Sequence, residues 1–112
     1  MNISIENKDE ISIVRVNGEI TFSTSGDLRK KLLELVDKGS KKVILNIEGV
    51  DYIDSSGMAT MVEILQKIKS EGGHLVLCKV KDKVKDILEM VKLKDLFEMF
   101  DTEEEAIESF NL

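Results

Sequence analysis

Proline and tryptophan are missing from the 112 residues, and cysteine, histidine and tyrosine occur once each. With Cys78 alone, no intramolecular disulfide can form, and with His74 the only histidine there is no zinc-type ligand set. No metal and no cofactor is expected. Cys78 lies in the apolar run LVLC, where a buried, inert thiol is the expected state. The lack of proline and the single glutamine, Gln66, set beside abundant Lys and Glu, lean toward a heat-adapted source.

No apolar run approaches the length needed to cross a bilayer, and the start MNISIENKDE lacks both the basic opening and the apolar centre of a signal peptide. The protein is expected in the cytoplasm, without a membrane partner. A net charge of -6, with most lysines alternating with Asp or Glu, argues against a nucleic-acid partner. The motifs of common enzymes are missing as well: there is no GxxxxGK, GxGxxG, HExxH or GxSxG, and no His near a Ser or Cys in an arrangement that suggests a triad. Carboxylates fall mostly at i, i+4 from lysines, the pattern of a solvated helix face. No catalyst is expected.

What is present is a folded composition, 42% hydrophobic and 34% charged, of a length that suits one domain over residues 1–112. Short apolar runs alternate with segments of helical period, which predicts an α/β fold. ISI at 3–5 and ISIVRV at 11–16, separated by NKDE, predict an antiparallel hairpin. Leu28, Leu32, Leu35 and Val36 form one face of a first helix, with Thr24 or Ser25 as N-cap and Gly39 as its stop. VILNI at 43–47 reads as an interior parallel strand. A second helix is predicted from Gly57 to about Ser70, burying Met58, Met61, Val62, Leu65 and Ile68.

LVLCKV at 75–80 reads as the last strand, and Asp82 opens a third helix with Val84, Ile87, Leu88 and Val91 on its inner face. In DTEEEAIESF, Asp101 or Thr102 caps a fourth helix whose first turn carries Glu103, Glu104 and Glu105. The expectation is a four-stranded mixed sheet with about four helices. Right-handed crossovers place the first two helices on one face and leave the other face more open.

One loop stands out. EGVDYIDSSGM follows the central strand, and loops at the carboxyl ends of parallel strands are where ligands and partners meet such folds. Asp54 or Ser55 can cap the second helix, and that is a sufficient role for either residue type. The same helix start tolerates an added phosphoryl group, because its free N–H groups and partial positive charge favour an anion. Gly57 leaves the backbone there without a side chain.

Four segments resemble the STAS domains, and among them the stand-alone bacterial anti-sigma factor antagonists: VNGEI at 16–20, VILNIEGVDYIDSSGM at 43–58, GGHLVLCKV at 72–80, and VKDILEMVKLKDLFEMFDTEEEAI at 84–107. The D-S-S-G element is the most specific of these. The resemblance implies a STAS-like fold and a phosphoacceptor serine directly after the aspartate, Ser55, with Ser56 the alternative. Asp54, Ser56, Gly57 and Met58 would surround the phosphate. The implied partners are an anti-sigma factor that is also the serine kinase, bound only by the unphosphorylated form so that the sigma factor is released, and a serine phosphatase that reverses the modification. Partner contacts are expected at Thr21, Ser23, Thr24, Met58 and Met61, although methionines at helical spacing also suit a core. Two positions depart from the family pattern: Thr21 replaces a frequent aspartate, and Ala59 replaces a glycine. The other reading is a STAS module that is not phosphorylated and senses a small anion or nucleotide, or scaffolds a signalling complex.

Overall fold

In a computed structural model, which describes residues 1–111, the chain runs β1 (Asn2–Lys8), β2 (Ile11–Asn17), α1 (Ser25–Asp37), β3 (Lys42–Gly49), α2 (Ser55–Ser70), β4 (His74–Cys78), α3 (Asp82–Met90), β5 (Met99–Phe100) and α4 (Glu103–Ser109). The hairpin forms as expected, longer than its apolar cores, and turns on Asp9 and Glu10 at φ 50 and 70. Positive φ at both central residues matches the right-handed twist of the strands. From β2 onward all pairs are parallel, and the strand order follows the chain.

The sheet has five strands where the sequence predicts four. The fifth, β5, is two residues long and pairs Met99 with Leu77 and Phe100 with Cys78. Two residues are too few to show an alternating pattern, so nothing local marks them.

One sheet face carries the larger core. Val14, Val16, Val43, Leu45, Ile47, Leu75 and Leu77 meet Leu28, Leu32, Ile64, Leu65 and Ile68 of α1 and α2, and Val84 and Leu88 of α3. Val91, expected on the inner face of α3, is 47% exposed, because the helix ends at Met90 and the chain turns through Lys92 at φ 61. The opposite face is also closed, contrary to expectation. Ala106 of α4 seals Ile11, Ile13, Ile44, Val76 and Cys78, with Phe100, Ile107 and Phe110 around them. Burial there pushes the Cys78 thiol up to about 12, which keeps it protonated and unreactive.

A seven-residue helix has little stability of its own, so α4 depends on its contacts. Thr102 caps it by accepting from the Glu105 N–H at 3.1 Å. Glu103 reaches the sheet: Arg15 donates to both its oxygens at 2.8 and 2.9 Å, and buried Asn46 donates to Oε2 at 2.6 Å. Arg15 and Asn46 are register partners on β2 and β3, so one carboxylate ties the C-terminal helix across two strands. The Arg15 bonds hold the Glu103 carboxyl below its ordinary 4.5, with a smaller contribution from Asn46.

Glu103→Gln is expected to cost about 1–2 kcal/mol at neutral pH, the range for hydrogen bonds to a charged group reduced for partial exposure. A lowered carboxyl value means the contribution is complete above pH 4.5 and is lost as pH falls through the folded value. Urea denaturation at neutral and acid pH should show the difference between wild type and Glu103→Gln closing in acid.

Candidate functional site

Beyond the ends of β2 and β3 the chain keeps one more point of pairing, a parallel bridge between Ile20 and Ile53. The Ile20 N–H donates to the Tyr52 carbonyl at 3.0 Å, and the Asp54 N–H to the Ile20 carbonyl at 3.1 Å. Both isoleucines are buried, so the bridge is anchored from below by the core. It brings the β2–α1 loop alongside the DSSG segment.

Helix α2 starts two residues earlier than predicted, at Ser55, with Asp54 as its N-cap in extended backbone. The Asp54 carboxylate makes two bonds. Oδ1 accepts from the Gly57 N–H at 2.8 Å, as a cap should, and Oδ2 accepts from the Phe22 N–H at 3.0 Å. These amides, Gly57 first and Phe22 second, hold the Asp54 carboxyl below its usual range, so it is an anion at neutral pH. The capping role open to either residue type is therefore filled by Asp54. Ser55 occupies the first helical position and is exposed, and Ser56 beside it is half-buried.

Gly57 serves a purpose other than the expected one. A Cβ at this position would lie 2.2 Å from the Ile20 carbonyl oxygen and 2.9 Å from its carbon. The space is filled by the Ile20 backbone, so the glycine lets α2 approach the bridge rather than leaving room for a ligand.

Of the residues expected at a partner surface, Ser23 is exposed while Thr21 and Thr24 are half-buried. The Thr24 hydroxyl is already engaged: it donates to the Glu19 carbonyl at 2.6 Å and accepts from the Thr21 N–H at 2.9 Å. Thr24 stands at the N-cap of α1, yet its side chain closes the preceding turn and makes no cap bond. Met61, at 1% exposure, is a core residue and presents nothing to a partner. Met58 is nearly buried, but its edge joins Ser55, Ala59, Val62, Val91 and Leu93 in an open, mainly apolar groove between α2 and the end of α3, completed by Gln66 and by Glu63, which is paired with Arg29.

Phe22 was not singled out in the sequence. It is 81% exposed, and Tyr52, next to Ile53 of the bridge, is 45% exposed. The available signal was an aromatic inside the polar run TFSTS, where no periodic apolar face could take it in. Asp51, next to Tyr52, pairs with Lys81 at 2.5 Å and Lys83 at 3.3 Å, which fastens the loop to the start of α3.

The groove wall offers no cation, and among the described residues no group of three His, Cys, Asp or Glu side chains is arranged to hold a metal. No helix among them is long and apolar enough to cross a membrane. The end of the molecule at Ser55 thus combines an accessible hydroxyl at a helix N-terminus with an apolar groove and, in the loop bonded to Asp54, an exposed Phe22.

A sequence model of the STAS domain matches residues 2–106. The anti-sigma-B factor antagonist of Staphylococcus aureus is 31% identical over 98 residues, which cover 86% of this chain and 91% of that protein. The crystal structure of a candidate anti-sigma factor antagonist from Thermotoga maritima is alike at a TM-score of 0.92 and 27% identity, covering 98% of this chain and 95% of that one. The Bacillus cell fate determinant SpoIIAA in its phosphorylated form has the same fold, with a TM-score of 0.74 at 22% identity over 97% of this chain and 99% of its own.

Gly57→Ala should cost about 1–3 kcal/mol, the usual penalty of overpacking, because the atom it strikes is backbone and cannot rotate away. Chemical denaturation measures this, and a neutral result would mean that α2 does not sit against Ile20.

Proposed function

The chain belongs to the STAS domain family, and on that premise we propose that it is an anti-sigma factor antagonist switched by phosphorylation at Ser55. The STAS antagonists are regulators and not enzymes, and this member has no catalytic role. In its unphosphorylated form it binds an anti-sigma factor that is also a serine kinase, and the sigma factor is released. Phosphorylation ends the binding, and a serine phosphatase restores it. The cycle runs in the cytoplasm.

The observation that carries this reading is the position of Ser55. It is exposed at the first residue of α2, on the edge of the apolar groove and directly after Asp54, which caps the helix and holds the Phe22 backbone. Ser56 is half-buried on the next helical position, which favours Ser55 as the acceptor. The name of the Staphylococcus aureus relative, an anti-sigma-B factor antagonist, supports an anti-sigma factor as the partner. Thr21, in place of an aspartate, does not remove the link between the loop and the acceptor, since Asp54 makes that link through the Phe22 backbone.

A phosphate can switch binding here without unfolding the domain. It adds a charge near -2 at an exposed position beside the positive end of a helix, where an anion gains about 0.3–1 kcal/mol. In a complex the same group would be desolvated against apolar surface with no cation in the groove wall to meet it. A hundredfold loss of affinity needs only about 2.7 kcal/mol, less than that desolvation costs.

Intact mass after incubation with ATP and the serine kinase of the source organism should rise by one phosphoryl group in wild type and Ser56→Ala and not in Ser55→Ala. Ser55→Asp should lose at least about a hundredfold in anti-sigma factor affinity with little change in melting temperature. Binding by Ser55→Asp equal to wild type would count against the site, and unfolding by phosphate with unaltered binding would count against the mechanism.

A further inference from the structure

The aromatic residues of this chain divide by place. Phe97 lies in the larger core, and Phe100 and Phe110 pack against the smaller one. Phe22 and Tyr52 do neither: both are exposed, and they lie within two residues of Ile20 and Ile53 of the bridge. A single exposed aromatic is ordinary on a protein surface. Phe22 differs in that its backbone is fixed from a distance. Its N–H is held at 3.0 Å by the carboxylate of Asp54, 32 residues away, the same carboxylate that caps the helix carrying Ser55. The backbone that carries the ring is therefore held against the residue directly before the acceptor serine.

We propose that Phe22 is the anchor by which an anti-sigma factor with serine kinase activity grips this protein, and that Asp54 is the positioning residue that holds it. The inference rests on the reading of the preceding subsection and names the contact it leaves open. An aromatic ring supplies large apolar contact with two side-chain torsions to fix, and a pinned backbone lowers the ordering cost on binding. The partner must then present an apolar pocket close to its phosphoryl-transfer site, since the Phe22 backbone is bonded to Asp54, the residue directly before Ser55. Such a pocket would also place Ser55 for transfer, so the anchor serves recognition by the kinase and binding of the anti-sigma factor at once.

Asp54→Asn separates the two roles of the carboxylate. Asparagine caps helices about as well as aspartate, so the Gly57 bond persists. It has one acceptor oxygen where aspartate has two, so the Phe22 N–H loses its partner.

The test uses the intact chain, calorimetric binding to the purified anti-sigma factors with serine kinase activity from the source organism, and amide exchange. Phe22→Ala should weaken binding about 30-fold, as for a central hot spot, while Phe22→Trp stays within about threefold. Asp54→Asn should weaken it about tenfold and speed exchange of the Phe22 amide. In phosphoryl transfer to Ser55 both Phe22→Ala and Asp54→Asn should raise KM with kcat held, and each should melt within about 3 °C of wild type. If Phe22→Ala binds like wild type while Ser55→Asp does not, the anchor is overturned and the regulatory reading stands. If Ser55→Asp also binds like wild type, or no anti-sigma factor binds the wild type, both are overturned.

Discussion

A single carboxylate joins two segments that the fold must bring together. Asp54 accepts from the Gly57 N–H on its own helix and from the Phe22 N–H in the β2–α1 loop. The second bond exists only because the Ile20–Ile53 bridge extends the pairing of β2 and β3 beyond their ends, and the bridge can sit under α2 only because residue 57 is glycine. The orientation of α2, the exposure of Ser55 and the stance of Phe22 all follow from that arrangement. A larger residue at position 57 or an apolar one at position 54 would disturb every part of it.

The rest of the molecule keeps this end rigid while leaving it uncovered. The core under α1 and α2 holds the bridge from inside, and Asp51 with Lys81 and Lys83 secures the loop from the side. On the opposite sheet face, Glu103 binds Arg15 and Asn46 and keeps α4 over Ile13, Ile44 and Val76. Stabilising contacts are thus spread over both faces, while Phe22, Tyr52 and the groove along α2 leave apolar surface exposed. Under the proposed cycle, a charge added at Ser55 meets solvent in the free protein and apolar surface in the complex, and that difference is what a switch of affinity requires.

Much of the fold was legible in the residues. The hairpin, the interior strand VILNI, the inner face of α1 and the Thr102 cap all rest on neighbours along the chain, with period two, period 3.6 or a cap three residues away. The DSSG element was legible for the same reason, being one continuous stretch. Met61 was harder: helical spacing places it on an apolar stripe but does not say whether the edge of that stripe reaches surface or core, and its 1% exposure answers for the core.

By itself, then, the sequence determined the alternation of strands and helices, the capped start of α2 and the family to which its motifs belong. Tertiary structure decided the fifth strand, the closing of the second face by α4, the contact of Gly57 with Ile20, and the attachment of Phe22 to Asp54. The physical reason is the range of the interactions. Periodicity and capping act within a few residues, whereas these four features arise from groups separated widely along the chain, and only the packed sheet brings them into contact.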